Sequence, residues 1–539
     1  MKKNLQTIFF ILIIVLAFIA RSYLLSQEGF ITTDGVAYAI SGKNLTETGR
    51  FEIYEKPQLL FPPGYPIAIG IADVFFDDLT FSARFVSFLS GILFVYIIYL
   101  IGRRMRGEKV GLLVSFLAAT QPMLVILSAE SMSESFYYLF VVLAVYQYLK
   151  IIEKYTLGGA IILGATIGYC YLIRPEGILL LVLVPAFLWA KHVSLSRKAL
   201  ASSFLAIIIS FSIVSAPYIY FLYKNSGKLA ITTKSGPNLV TGIILNGKII
   251  GEANDKEARA YEKTFYYYDS ETNSIKLPEK FDKLDLSGSI LGNWKMFLER
   301  YAKGLETEIK MMFKAYELIL FLPFVAVYFV FISRRREEFG RHIVLFVIPL
   351  SFLLLFPAFH IEARYLVQVF IFIILLSSLG LAVFLDFLAR KINKLEFANN
   401  IFCGPVKGVA AFILISAFTA SAAAALWPGA PYPYEHKIAG EYLKSQGNGS
   451  DIVVMSRKPY VNFYAQGKGN FPIPYTSAAN VLRFAKANKV NYIVIDERYI
   501  GLRENYEELL SLDKYAADEV ILFYQDYSVK PIKIFKVLH

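Results

Sequence analysis

Charged side chains stand at the ends of several long apolar runs in this 539-residue chain. A charge at membrane depth costs about 2.5–3.5 kcal/mol on insertion scales, so each of these side chains needs a physical reason. The arginines are Arg174 and Arg364, and the carboxylates are Asp34, Glu130, Glu134, Glu176 and Glu362. Together the two classes offer a proton acceptor and a cationic site for phosphate.

The chemistry that needs both classes is sugar transfer from a phosphate leaving group. A carboxylate takes the proton of the acceptor hydroxyl, and cations or a metal ion neutralise the departing phosphate. Arginine suits phosphate because its planar fork donates two parallel hydrogen bonds. Glu130 and Glu134 are four residues apart, as are His360 and Arg364, so on helices each pair would project together. No cofactor is indicated, and a divalent metal ion is an alternative to the cationic side chains.

The elements that position these residues are transmembrane helices. The chain is 56% hydrophobic, and its mean hydropathy of +0.49 exceeds that of a soluble domain. Since a span needs about 20 apolar residues, we predict a polytopic α-helical membrane protein with about 11 spans. The predicted spans are 8–25, 85–101, 110–127, 135–152, 157–173, 178–190, 200–223, 313–332, 343–356, 365–384 and 406–427.

The cations between the spans report the orientation. The formal net charge is +12, but the Lys and Arg residues fall in short breaks rather than in a patch, so no nucleic acid partner is expected. With a cytoplasmic amino terminus, alternate breaks carry the cations, as the positive-inside rule requires. Arg174 and Arg364 break that rule, because both fall on the outer side. We expect a multi-pass protein of a bacterial inner membrane or an archaeal plasma membrane.

Two domains are predicted. Residues 1–427 form the transmembrane domain, whose large outer loops are 26–84 and 224–310, and residues 428–539 form an extracytoplasmic α/β domain. In the first loop we expect short interfacial helices, and in the second a helix near 294–309 that covers a cavity. Alternating patterns in the last region predict strands at 452–455, 492–495, 520–524 and 532–537 and helices at 434–445 and 477–488.

Four motifs resemble a known family. They are Asp34 after the first span, Phe61-Pro62-Pro63-Gly64-Tyr65-Pro66, Ile173-Arg174-Pro175-Glu176-Gly177, and Arg364-Tyr365. In this order they resemble the membrane glycosyltransferases of the GT-C fold, particularly the protein O-mannosyltransferase and aminoarabinose transferase superfamily. The resemblance implies a polyprenyl-phosphate or dolichyl-phosphate monosaccharide donor, inversion at the anomeric centre, and Asp34 as the catalytic carboxylate.

The resulting hypothesis is an inverting glycosyltransferase at the outer membrane face. Asp34 activates the hydroxyl of a lipid, glycan or protein acceptor, and a lipid-linked donor enters from the outer leaflet. Some relatives carry a cation just before the paired prolines, where this chain has Phe61 and its nearest upstream cation is Lys56. The predicted donor-phosphate ligands are Arg174, Arg364 and Lys56, and the predicted supporting residues are Glu130, Glu134, Glu176, His360, Glu362 and Tyr365.

Structural roles compete with each assignment. Asp34 lies in good turn chemistry, and the two glutamates Glu130 and Glu134 would complement the dipole of a helix start. Arg174 and Glu176 could form a structural ion pair, and Arg364 could anchor headgroups. His360 is better explained as a satisfied loop histidine.

Two other functions also compete. One is a lipid-linked-sugar flippase or secondary transporter, in which intramembrane charges line a pathway. The other is an oligosaccharyl or glycan-polymer transferase that uses a pyrophosphate-linked donor.

Overall fold

A computed structural model describes the greater part of the chain. It covers residues 2–191, 194–248, 255–282, 292, 294–315, 318–392, 432–447, 451–503 and 506–539. The last predicted span, 406–427, and the predicted domain boundary at 427 lie outside the described residues.

Helices account for most of the region before residue 393. In chain order the first twelve helices are α1 Lys2–Ser26, α2 Thr33–Thr48, α3 Gly64–Phe76, α4 Leu79–Arg106, α5 Glu108–Thr120, α6 Pro122–Leu127, α7 Glu134–Glu153, α8 Leu157–Ile173, α9 Leu183–Lys191, α10 Arg197–Ser226, α11 Ser235–Leu245 and α12 Asp255–Phe265. The later helices of this region are Glu279–Asp282, Trp294–Ala315, Leu318–Ser333, Arg336–His342, Val344–Leu355 and Ala363–Ile392. This region also contains two 3₁₀ segments, Pro175–Val182 and Phe356–Ala358. It has two hairpins, β1 Glu52–Ile53 with β2 Lys56–Pro57 and β3 Tyr268–Asp269 with β4 Ser274–Ile275.

The first ten predicted spans all coincide with helical segments. Among the described residues, six helices are long and apolar enough to cross a membrane, or up to seven if one bent pair counts as a single span. The bent pair corrects the eighth predicted span, because the chain turns by 101° between Trp294–Lys314 and Leu318–Ser333. The third predicted span is likewise divided, since Pro122 begins α6 and lacks the N–H that would continue α5.

The charges at one end of the bundle are paired with one another. Arg104 near the end of α4 meets Glu153 at the end of α7 at 2.6 Å, and Arg106 meets Asp386 at 2.8 Å. Helices α4, α7 and Ala363–Ile392 therefore finish at the same membrane face. Glu134 and Arg364 stand at the opposite ends of two of these helices.

The carboxyl-terminal region is an α/β domain, as predicted. Its sheet has the order β6-β5-β7-β9-β8 and mixes parallel with antiparallel pairs. The strands are β5 Val453–Ser456, β6 Gly469–Phe471, β7 Tyr492–Asp496, β8 Val520–Asp526 and β9 Ile532–Val537, and the helices and 3₁₀ turn are Tyr434–Ser445, Tyr460–Ala465, Ala478–Ala487, Glu497–Leu502, Tyr506–Leu509 and Leu512–Tyr515. All four predicted strands and both predicted helices are present. The additional strand β6 is three residues long and carries Gly469 and Asn470, which are depleted in strands.

A buried ionic clamp joins this domain to the second outer loop. Glu262 on α12 is 1% exposed and accepts hydrogen bonds from Arg457 Nη2 at 2.5 Å and Arg503 Nε at 2.9 Å. Arg503 is itself buried and stacks over the ring of Tyr266. Removing one partner of such a group leaves uncompensated charge in the interior, so the clamp fixes α12 against the sheet domain.

We predict that Glu262→Gln loosens this contact, because two buried guanidiniums lose their carboxylate. Breaking a buried ion pair costs about 3–5 kcal/mol. Limited proteolysis should cut the 255–282 segment faster in the variant, and the melting temperature should fall. Glu257→Gln on the same helix is the matched control, since the partner Lys248 is half exposed. Equal behaviour of the two variants would contradict the clamp.

Candidate active site

The ends of four helical segments meet at the membrane face that bears Glu134 and Arg364. Asp34 lies in the first turn of α2, where Thr32 caps the helix by accepting a hydrogen bond from Gly35 N. Glu134 begins α7, Arg174 follows α8, and Arg364 is in the first turn of Ala363–Ile392. The structure thus brings together residues that are up to 330 positions apart in the chain.

Two close backbone approaches allow this convergence. A Cβ on Gly35 would lie 2.4 Å from Ser131 Oγ, and one on Gly64 would lie 2.7 Å from the carbonyl oxygen of Leu172. Both positions exclude a side chain for steric reasons. Gly64 therefore seats the Pro-Pro-Gly segment against the end of α8, two residues before Arg174.

Glu134 is the centre of the charge network. Its Oε1 lies 2.8 Å from Arg174 Nη1 and 3.5 Å from Arg364 Nη1, and its side chain is 1% exposed. Arg174 Nε also donates to Glu176 at 2.6 Å. One fully buried carboxylate therefore bridges the two guanidiniums, which would otherwise repel each other.

Arg364 contacts three carboxylates. Its Nε donates to Glu362 at 2.5 Å, Nη1 faces Glu134, and Nη2 donates to Asp34 Oδ2 at 3.3 Å. Every nitrogen of this guanidinium is thus engaged by protein. The sequence hypothesis assigns the donor phosphate to Arg364, and in the structure its nitrogens face carboxylates, with Nη2 on Asp34.

Tyr365 and His360 complete the cluster. The guanidinium carbons of Arg174 and Arg364 lie 5.2 and 5.4 Å from the centre of the Tyr365 ring, within cation–π distance. His360 Nε2 lies 3.1 Å from Glu362 Oε1 and 3.4 Å from the Tyr365 hydroxyl. His360 therefore lies at the edge of the network and is bonded only through Nε2, since its buried Nδ1 has no hydrogen-bond partner among the described residues.

Two expectations about helical neighbours are wrong. Glu130 does not project with Glu134, because residues 128–133 are not helical. Ser128 donates to Val125 O, and Ser131 Oγ accepts a hydrogen bond from Thr32 N in the distant first loop. Glu130 instead accepts a hydrogen bond from Tyr432. His360 precedes its helix, so it reaches Arg364 through Glu362 rather than along one helix face.

Lys56 lies away from these ion pairs. It is exposed in the hairpin β1–β2, with its ammonium 5.2 Å from the centre of the Phe471 ring in the sheet domain. No ion pair among the described residues links it to the Glu134 network. The structure therefore gives Lys56 a packing role between the first outer loop and the sheet domain.

The comparisons agree with this architecture. A family model described as dolichyl-phosphate-mannose-protein mannosyltransferase matches residues 61–220. The archaeal oligosaccharyltransferase AglB from Archaeoglobus fulgidus, solved with an inhibitory peptide and a dolichol-phosphate, is similar with a TM-score of 0.61 at 13% identity, over 100% of this chain and 74% of that one. ArnT from Cupriavidus metallidurans bound to undecaprenyl phosphate has a TM-score of 0.56 at 11% identity, over 97% of each chain. No curated protein matches at a significant level.

This chain has the GT-C fold. The resemblance to GT-C membrane glycosyltransferases that use polyprenyl-phosphate donors, predicted from the four motifs, is confirmed.

Lys234 is a cation of this GT-C site that the sequence did not single out. Its segment is held in place by hydrogen bonds from Thr233 Oγ1 to Leu59 O at 2.6 Å and from Tyr171 to Ile231 O at 2.7 Å. The Lys234 ammonium lies 4.6 Å from the centre of the Phe61 ring, directly before the paired prolines. Burial lowers the pKa of Lys234, and the positive charges of Arg174 and Arg364 lower it further. The carboxylates of Asp34 and Glu176 act in the opposite direction. No salt bridge of Lys234 is found among the described residues.

Lys458 is a second such cation, and it comes from the sheet domain. It follows β5, two residues before Tyr460, whose hydroxyl bonds Thr33 Oγ1 at 2.6 Å. Burial and Arg457 lower its pKa, and the carboxylates of Glu262, Asp34 and Asp496 act in the opposite direction. Neither lysine could be found from the sequence, because the outer segments contain many lysines with equally polar neighbours.

Two further findings delimit the site. Among the described residues, no group of three or more His, Cys, Asp or Glu side chains is arranged to hold a metal ion. A cavity of about 850 Å³ lies along another face of α2, bordered by Lys43, Asn44, Asp77 and Glu441. Asp34 and the arginine pairs do not line it.

We predict that Glu134→Gln destabilises the protein far more than Glu130→Gln does. The first change leaves two buried guanidiniums with one carboxylate fewer, at a cost of about 3–5 kcal/mol. The second keeps an acceptor for the neutral Tyr432 hydroxyl. Thermal unfolding of the purified variants measures the difference. Similar melting temperatures for both would show that Glu134 does not hold the network together.

Proposed function

We propose that the protein transfers a monosaccharide from a polyprenyl or dolichyl phosphate to an acceptor hydroxyl at the outer membrane face, with inversion. The observation that carries the proposal is the Asp34 carboxylate, which lies 3.3 Å from Arg364 and acts on the charges of Lys234 and Lys458. Neither lysine has a salt bridge among the described residues. The related folds of AglB and ArnT, solved with dolichol-phosphate and undecaprenyl phosphate, support the choice of donor.

Asp34 acts as the general base in this scheme. Arg364 binds Oδ2 and leaves Oδ1 to accept the proton of the acceptor hydroxyl. The acceptor oxygen forms a bond to the anomeric carbon while the bond from that carbon to the phosphate oxygen breaks. The electron pair leaves with the lipid phosphate, and a single displacement of this kind inverts the anomeric centre.

The donor phosphate binds Lys234 and Arg174. Arg364 is fully engaged by carboxylates, whereas Arg174 uses Nε for Glu176 and Nη1 for Glu134, so Nη2 remains for the ligand. The Lys234 ammonium stands at Phe61, where some relatives carry a cation. A cation from the second outer loop therefore serves the position that Lys56 was predicted to serve.

We predict that Asp34→Asn lowers the rate of sugar transfer by about 10²–10⁴, the usual contribution of a general base. Donor binding should persist, because the cations are unchanged. Transfer of radiolabelled sugar from a polyprenyl phosphate by the purified protein measures the rate. Asp77→Asn is the matched control, since Asp77 ends α3 in the left-handed conformation that Asn tolerates. Full turnover by Asp34→Asn would remove the assignment of the base.

We predict that Lys234→Met weakens binding of undecaprenyl phosphate and that exposed Lys228→Met does not. Burial lowers the pKa of Lys234, so the wild-type affinity should fall as the pH rises, at a lower pH than an ordinary lysine with a pKa of about 10.4 would give. Lys234→Arg should move this fall to higher pH, because guanidinium stays protonated. The measurement is the affinity for undecaprenyl phosphate at several pH values from 7 to 10. Identical pH profiles for wild type and Lys234→Arg would refute the role of Lys234 in phosphate binding.

A pyrophosphate-linked donor is the second candidate. The similarity to AglB, an oligosaccharyltransferase, over the whole of this chain favours keeping it. Competition between monophosphate-linked and diphosphate-linked sugars in the same transfer assay separates the two donors.

A further inference from the structure

The sheet domain closes over the amino end of α2, where Asp34 lies. The Tyr464 hydroxyl accepts a hydrogen bond from Ile31 N at 2.9 Å, and the Tyr434 hydroxyl donates to Glu28 O at 3.0 Å. Phe30 packs edge-on against Tyr460 with ring centres 4.8 Å apart. The domain therefore forms a wall of the active site rather than a separate appendage.

The turn that carries Lys458 is fixed in this wall. Ser456 Oγ donates to the carbonyl of Lys458 at 2.6 Å, and the preceding Arg457 is clamped to Glu262. The following Pro459 precedes the helix Tyr460–Ala465, which bonds Thr33. Lys458 is thus anchored on both sides by contacts to two other segments of the chain.

The Lys458 ammonium has no ion pair in the described part of the chain, whereas the charged side chains around it do. Glu262 is used by Arg457 and Arg503, and Asp34 is used by Arg364. Among the described residues, no carboxylate lies within salt-bridge distance of the Lys458 ammonium. Lys458 is only partly exposed, and a cation that has lost part of its hydration and has no carboxylate partner is stabilised by an anionic ligand.

The side of approach identifies that ligand. Arg174 follows the membrane helix α8 and Lys234 lies beside Phe61, and the proposed function assigns both to the lipid donor. Lys458 belongs to the sheet domain, two residues before Tyr460, whose hydroxyl bonds Thr33 next to Asp34. Asp34 must contact the acceptor hydroxyl if it is the base. We propose that Lys458 binds an acidic group, a phosphate or a carboxylate, that the acceptor carries close to its reacting hydroxyl. This inference rests on the proposed function.

Binding of small anions tests the proposal without turnover. The full-length protein in detergent is saturated with undecaprenyl phosphate to fill the donor site and is then titrated with methyl phosphate or acetate, with methanol as the uncharged probe. Thermal stabilisation reports binding. We expect at least one of the two anions to bind the donor-filled wild type, and Lys458→Met to weaken that binding by about tenfold or more, as loss of one charge-assisted contact implies. Affinity for undecaprenyl phosphate should stay within about twofold.

Three controls make the result specific. Lys468→Met removes an exposed lysine of the same domain and should behave as wild type. Lys458→Arg should retain anion binding. Lys234→Met should lose the lipid phosphate instead of the small anion.

Several outcomes would overturn the proposal. They are the absence of anion binding to the donor-filled wild type, unchanged anion binding in Lys458→Met, or loss of undecaprenyl phosphate from Lys458→Met, which would make Lys458 a donor ligand. If Lys458→Met fails to fold, the wild-type titration and Lys458→Arg still decide. Failure of the proposed function would be seen separately, as the absence of sugar transfer from a polyprenyl phosphate.

Discussion

The bridging of Arg174 and Arg364 by Glu134 is the interaction on which the rest of the site depends. Two guanidiniums near the membrane face repel each other unless an anion lies between them, and Glu134 is that anion, buried at 1% exposure. The attraction has to offset the cost of dehydrating all three groups, which requires good geometry and further hydrogen bonds. Glu176, Glu362 and the Tyr365 ring supply them.

This balance determines what each cation can do. A guanidinium that is engaged at every nitrogen can orient a neighbour but offers no edge to a ligand, and Arg364 is in that position. Lys234 and Lys458 have no salt bridge among the described residues, and they come from segments outside the bundle. In the proposed scheme the network of arginines supports Asp34, and the lysines bind the anionic ligands. Such a division suits transfer chemistry, in which the base must be fixed while charged substrates come and go.

Much of the fold could be predicted because it depends on local pattern. The ten predicted spans that fall on described residues coincide with helical segments because apolar runs define them. The four predicted strands follow from alternation and β-branched residues. Asp34, Arg174 and Arg364 could be assigned to one site from the sequence because each breaks a rule of membrane sequences. Each is a charge at the end of a span or a cation on the predicted outer side. The prediction that Glu130 projects together with Glu134 is wrong because the serine-rich residues around Glu130 form a turn rather than a helix start. Lys234 and Lys458 depend on tertiary contacts across hundreds of residues, to which no local pattern corresponds.

The distribution of charge also bears on the choice between an enzyme and a transporter. A transporter needs polar groups that connect both membrane faces, usually near the midplane. Here two groups of ion pairs stand at opposite ends of the bundle, the Glu134 network at one face and the pairs Arg104–Glu153 and Arg106–Asp386 at the other. Two further buried charges, Arg21 and Glu308, belong to neither group. The same helices join the two groups of ion pairs through a continuous apolar core that includes Tyr148, Phe370 and Ile374, all nearly fully buried. Each network ties helix ends together at its own face, an arrangement that favours the proposed enzyme over a transporter.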